Sequence, residues 1–285
     1  MNTKFDCALC SINGVLNLFK KGLIKEKYQE EIFKRLMEYY SNVDYSLPST
    51  TINRGVKNIV CKVSGLTDPF KPLKEMVNNK ALEYSNKYEE KVKEDKNSWQ
   101  KAMRLAIAGN IIDFGPTHNF DIEKKIEEVL EADFPIDDSE RLFEEIKKAK
   151  SILYVGDNTG EIVFDKLFLE VINHNNVTFV VREKPILNDS TMEDAKWVGI
   201  DKLVKEIITT GDDAPGVLLD SVSEEFLTHY NSADLIISKG QGNFEGLGHI
   251  ADKNIFFLFT VKCKLISQIL NIPIGKSVVK SAVRR

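Results

Sequence analysis

Apolar positions along this chain follow two periods, and the change falls near residue 150. Before it the period is helical. Over Glu26–Tyr40 the residues Tyr28, Ile32, Phe33, Leu36 and Tyr39 recur three and four apart, the spacing of one helix face. Thr50 or Thr51 is placed to cap a helix running to about Val63. Asp68-Pro69-Phe70 opens another long helix, with Pro69 suited to its first turn and Leu73, Met76, Val77, Leu82 and Tyr84 as its apolar stripe. The charged stretch Tyr88–Lys96 reads as a solvated helix face or a short linker. Trp99–Ile112 reads as a more apolar helix that runs out in Asn110-Ile111-Ile112-Asp113.

After residue 150 short apolar runs alternate with amphipathic segments. Strands are expected over Ser151–Val155, Val177–Val181, Glu206–Thr209, Leu235–Ser238 and Asn254–Thr260. Helices are expected near Ile162–Asn173, Met192–Val198, Ser223–Tyr230 and Glu245–Ile250. Strand–helix alternation predicts a mostly parallel sheet joined by crossovers. The expected fold class is therefore α/β, with an all-helical segment 1–149 packed on an α/β segment 150–285 that holds the chemistry.

The turn after the first strand reads Gly156-Asp157-Asn158-Thr159-Gly160-Glu161. In an open α/β sheet it lies at the carboxyl end of a strand, where such folds place their ligands. Asp157 and Asn158 offer adjacent oxygens of the kind a hard divalent cation prefers, although Asp and Asn are also good helix N-caps. The turn after the second strand carries Arg182 and then Asn188-Asp189-Ser190-Thr191, again either a cap or a ligand. If these strands are neighbours, Asp157, Asn158 and Asp189 converge on one ion. Lys239-Gly240-Gln241-Gly242-Asn243 combines a lysine with two glycines before a helix, an anion site or a plain connector. It is not a Walker loop, and neither turn matches the dinucleotide pattern. A carboxylate facing a phosphate asks for a cation between them, which points to metal-assisted phosphoryl chemistry. Asn110 and Asp113, three apart, share a helix face that either caps the helix or faces the crevice.

Composition narrows the field. The 285 residues are 42% hydrophobic and 29% charged, and 39 basic against 43 acidic residues leave a formal charge of −4. Neither nucleic acid nor an anionic membrane is an expected partner. The longest apolar runs are far too short to span a bilayer. Met1–Asp6 lacks the order of a signal peptide, so a cytoplasmic location is expected. Four cysteines do not make a disulfide framework. Cys7-Ala8-Leu9-Cys10 is compatible with buried thiols, a metal or a redox pair. The histidines show no ligand spacing, and the sequence gives no oligomeric state.

Taken together, Cys7-Ala8-Leu9-Cys10, Asp68-Pro69-Phe70 with Lys74, Gly109-Asn110-Ile111-Ile112-Asp113, the Gly156–Glu161 turn, Asn188–Thr191 and Lys239–Glu245 resemble the damage-control phosphatases. This family is also described as acidic-residue methyltransferase-like. The chain is most similar to its microbial, largely archaeal branch with an N-terminal Cys-x-x-Cys. The resemblance implies a Rossmann-like α/β domain under a helical one, and metal-dependent hydrolysis of small phosphorylated metabolites such as sugar phosphates or damaged phosphate esters. It implies Asp157, Asn158 and Asp189 as ligands of magnesium, manganese, cobalt or nickel. It also implies Lys239 as the phosphate-contacting lysine, with Asn110 and Asp113 facing the crevice. Arg182, Gly240, Gly242 and Asn243 complete the expected substrate contacts, and Asp157 is either nucleophile or ligand alone. The competing readings are a methyltransferase using S-adenosylmethionine, and a non-catalytic metal- or metabolite-binding protein.

Overall fold

The computed structural model describes residues 5–110 and 122–283. The described chain before residue 150 is helical: α1 (Phe5–Lys20), α2 (Glu26–Asn42), α3 (Ser49–Ser64), α4 (Lys71–Lys93), α5 (Ser98–Ala108), α6 (Ile122–Glu131) and α7 (Ser139–Lys148). Strands and helices then alternate: β1 (Ile152–Val155), α8 (Glu161–Ile172), β2 (Val177–Val181), α9 (Met192–Val198), β3 (Glu206–Thr209), α10 (Glu224–Ser232), β4 (Leu235–Lys239), α11 (Gln241–Leu247), β5 (Ile255–Thr260), α12 (Lys264–Leu270) and β6 (Ser277–Ser281).

The six strands form one sheet in the order β3-β2-β1-β4-β5-β6. Strands β1 to β5 pair in parallel, and β6 pairs antiparallel with β5. Every residue of β1, β2, β4 and β5 is buried, because helices cover both faces. This is why those strands read as unbroken apolar runs rather than as alternations. Strand alternation sends Ile152, Tyr154, Leu235 and Ile237 into one core and Leu153, Val155 and Ile236 into the other. The first core extends from Val77 on α4 through Ile146 on α7, so α4 to α7 pack on the sheet itself. Helices α1 to α3 bury a separate cluster that includes Val15, Leu18, Ile32, Leu36, Val56 and Val60.

Several details depart from the pattern reading. Helix α3 begins at Ser49 with Pro48 rather than Thr50 or Thr51 at its cap, and helix α5 ends at Ala108. Helix α4 begins at Lys71, because the Asp68 carboxylate accepts the Phe70 N–H (2.9 Å) in a turn that precedes the helix. Pro72, not Pro69, therefore occupies the first helical turn. Helix α11 begins at Gln241, four residues early, because Gly240 (φ 78°) turns the chain straight out of β4. Strand β6 was not foreseen: Ser277-Val278-Val279-Lys280-Ser281 is short and polar at both ends, as an edge strand commonly is. Among the described residues, no helix is long and apolar enough to cross a membrane.

Candidate active site at the carboxyl ends of the central strands

The strand order reverses between β1 and β4, and the parallel sheet aims both carboxyl ends at one crevice. The turns after β1 and β2 are laced together there by backbone. Asp157 C=O accepts from both Ser190 N (2.8 Å) and Ser190 Oγ (3.0 Å), and Asn188 C=O accepts the Thr159 N–H (2.8 Å). Asn158 and Asp189 form an isolated antiparallel bridge. Asp157, Asn158 and Asp189, expected from the sequence to converge, are brought to one point and are 7%, 8% and 4% exposed. Asn78 on α4 supports the turn by accepting the Gly160 N–H (2.6 Å).

Charge at this point is unbalanced. Arg182 is buried and donates Nε–H to Asp189 Oδ2 (2.7 Å) and Nη2–H to Asn243 Oδ1 (2.9 Å), with Nη2 3.6 Å from Asp157 Oδ1. Its Nη1 has no hydrogen-bond partner. Burial pushes the Asp189 carboxyl up to about 6; Arg182 opposes this and the neighbouring Asp157 charge adds to it. Lys74, 3% exposed, lies 3.1 Å from Asp68 Oδ2, a charge contact without the alignment of a hydrogen bond. Asn110 closes the far side: its Nδ2 donates to Asp157 Oδ2 (3.1 Å) and Glu161 Oε2 (2.8 Å), and its Oδ1 accepts from Asn158 Nδ2 (3.2 Å).

Gly240 lets β4 approach this corner. A Cβ there would lie 1.8 Å from Asp157 Oδ2. The Gly240 N–H is taken by Leu258 C=O (3.1 Å), and the Asn243 amide is spent on Gly156 C=O (3.1 Å), Lys239 C=O (2.7 Å) and Arg182. Gly242 packs against the Pro215 carbonyl, 2.7 Å from where its own Cβ would stand. These three were expected to touch substrate; the structure uses Gly240 N–H and the Asn243 side chain to brace the turn.

Lys239 also differs from its expected place. Strand alternation points it to the side of Leu235 and Ile237, under α8, rather than into the crevice. Its ammonium, 0% exposed, donates to Glu161 Oε1 (2.7 Å), Asp165 Oδ1 (2.5 Å) and Ala106 C=O (2.9 Å). All three protons are thereby used. Tyr154 Oη donates to the same Asp165 oxygen (2.7 Å). Burial drives Glu161 up to about 8 against the pull of Lys239. Lys239 itself is opposed by burial yet held above the ordinary lysine value by Asp165 and Glu161. Asp113 lies outside the described residues.

The donor set suits a hard cation. Among the described residues, no three His, Cys, Asp or Glu gather in ligating geometry; the groups present at this corner are the Asp157 and Asp189 carboxylates and the Asn158 amide. Two carboxylates and an amide supply only oxygens, and the two buried acids share one guanidinium.

Comparison with known proteins sharpens this geometry. The description of the damage-control phosphatase ARMT1-like domain matches residues 3–278. The chain belongs to that family. It is 42% identical to damage-control phosphatase PH1575 of Pyrococcus horikoshii over 75% of each chain. It is 39% identical to the uncharacterized protein MJ0202 of Methanocaldococcus jannaschii, over 96% of this chain and 94% of that protein. The crystal structure of the P. horikoshii protein, described as a DUF89 family protein, superposes with a TM-score of 0.89, 33% sequence identity and 99% coverage of both chains. Family membership makes the chain a phosphatase, of a kind that is generally metal-dependent.

Sequence reasoning gave no role to Glu161, Asp165, Tyr154 or Asn78. Each had a signal. Glu161 and Asp165 are an acid pair four apart on α8, whose other buried residues are apolar. Asn78 interrupts the stripe of Val77 and Ala81 on α4.

Proposed function

We propose that this chain hydrolyses phosphomonoesters of small metabolites at the Asp157–Asn158–Asp189 corner, with a magnesium-type cation held by those three residues. Manganese, cobalt and nickel accept the same oxygen set. One observation carries the reading: two buried carboxylates share a single guanidinium beside the Asn158 amide, whose Nδ2 donates to Asp157 Oδ2 (3.0 Å). When bound, the cation supplies charge neutralisation to the phosphoryl group. The chain's own residues do the rest. Arg182 Nη1 and Lys74 Nζ are the buried cationic donors without hydrogen-bond partners beside the site, and we assign them to phosphate oxygens. Asn110 fixes the orientation of Asp157 and Asn158 from behind. Lys239 acts through Glu161, holding the floor on which Asn110 rests. Gly240, Gly242 and Asn243 shape the wall. The low cysteine count supports a cytoplasmic setting.

The test is phosphate release from a panel of small phosphate esters by chelator-stripped protein, with each metal resupplied in turn. Metal-restored release that is lost in Asp157→Asn supports the reading. Release that ignores metal, or survives that substitution, overturns it. Rapid-quench labelling with radioactive phosphate ester separates Asp157 as nucleophile, which leaves labelled protein, from attack by water, which does not.

A further inference from the structure

A cavity of about 310 Å³ lies between α1, α3 and the crevice turns. Its volume falls in the range of small-molecule pockets. Its walls are mainly Val15, Leu18, Val56, Val60, Phe70 and Leu187. Polar side chains, among them Ser11, Asn53, Lys57 and Asp68, interrupt these walls, and Ser49 Oγ and Gln241 Nε2 both donate to the Glu245 carboxylate, the latter at 2.9 Å.

Three wall residues tie the cavity to the site. Leu187 stands two residues before Asp189. Gln241 follows Gly240, the residue in closest approach to Asp157. Asp68 is the ion-pair partner of Lys74. Leu187 is also held at φ 46°, a left-handed conformation that a branched apolar side chain rarely adopts and that commonly marks functional segments.

Resting on the phosphatase reading above, we infer that this cavity receives the organic part of the ester, and that the substrate class is a phosphomonoester of a largely apolar or aromatic alcohol rather than of a polyol. The walls decide this. Most of the wall surface is apolar, and polar side chains on it are engaged with one another or with neighbours: Ser11 with Asn53, Lys57 with Asp213, Asp68 with Lys74, and Ser49 and Gln241 with Glu245. A sugar would set several hydroxyls against valine, leucine and phenylalanine, while a flat apolar body gains contact with each wall.

Thiols make occupancy measurable without turnover. Cys7, Cys10 and Cys263 line the cavity and Cys61 does not; Cys10 on α1 and Cys263 beside α12 serve as the two reporters. Alkylation by iodoacetamide, read by mass spectrometry on the manganese-loaded chain, reports filling by (1-naphthylmethyl)phosphonate. The expected result is slower labelling of Cys10 and Cys263 with Cys61 unaffected. In parallel, kcat/KM for 1-naphthyl phosphate should exceed that for glycerol phosphate by about tenfold or more, the scale of discrimination an apolar pocket supplies. Gly14→Phe narrows the cavity from a position whose Cβ meets open space, and Val60→Phe fills it from the opposite helix. Either should reduce that preference. The assignment is overturned if the phosphonate protects neither thiol and the preference is absent or survives both substitutions. Thiol protection with no metal-restored phosphate release from any ester keeps the cavity as a binding site and removes the phosphatase reading instead.

Discussion

Two clusters of buried charge are bridged by Asn110, whose Nδ2 donates to an acid of each, and each sets two acids against one base. In the lower cluster Glu161 and Asp165 share Lys239; in the upper one Asp157 and Asp189 share Arg182. The lower cluster is sealed at 0% exposure, and its surplus negative charge is met by a proton, since Glu161 is driven up to about 8. The upper cluster keeps a few per cent exposure at the crevice, and the Asn158 amide lies beside its acids, with Nδ2 donating to Asp157 Oδ2 (3.0 Å). Equal stoichiometry thus has two resolutions. A sealed pair of acids takes up a proton, while an accessible pair is open to a cation. On the proposed reading the lower cluster is scaffold and the upper one is site.

The largest effect should come from breaking the scaffold. Lys239→Met leaves two acids without their cation in the sealed layer, and such losses destabilise by about 3–5 kcal/mol. Urea unfolding should show a lower midpoint with the slope retained. A variant as stable as the parent would mean that Lys239 does not balance this layer. In the upper cluster Asp157→Asn should reduce turnover by about a hundredfold or more, while the metal-free protein keeps its stability, because one of two repelling carboxylates has been neutralised. Loss of folding instead would place Asp157 in the scaffold.

Smaller effects separate the clusters by pH. The folded chain holds the Glu161 proton up to about 8, above the ordinary value of 4.5. The stability this contributes is full below the unfolded value and is lost as pH rises through 8. Unfolding measured across that window should show the decline, and Glu161→Gln should flatten it. Asp189 responds in the opposite sense toward metal. With its carboxyl near 6 in the metal-free chain, divalent affinity should weaken as pH falls below 6, with proton release on binding visible in a weakly buffered titration. The smallest effect is expected of Asn78→Ala, which leaves the buried Gly160 N–H without an acceptor at a cost of about 1–3 kcal/mol.

Much of the upper cluster was legible because it is local. Asp157-Asn158 and Asp189 each follow a recognisable apolar strand, and parallel pairing of β1 with β2 needs nothing further to join them. The lower cluster was not legible, because it depends on the direction of a single side chain. Lys239 beside two glycines looks like an anion loop until the phase of β4 is known, and a one-residue shift in strand phase exchanges crevice for core. Helix starts at Lys71 and Gln241 moved for a similar reason: one side-chain-to-backbone turn before the helix and one glycine at positive φ outweighed the apolar period.

The central claim is that Asp157, Asn158 and Asp189 hold one divalent cation, and manganese binding followed by electron paramagnetic resonance tests it most directly. Titration of the chelator-stripped chain should show one bound manganese ion per chain, absent or greatly weakened in both Asp157→Asn and Asp189→Asn. Binding of equal stoichiometry and affinity in those two variants would contradict the account.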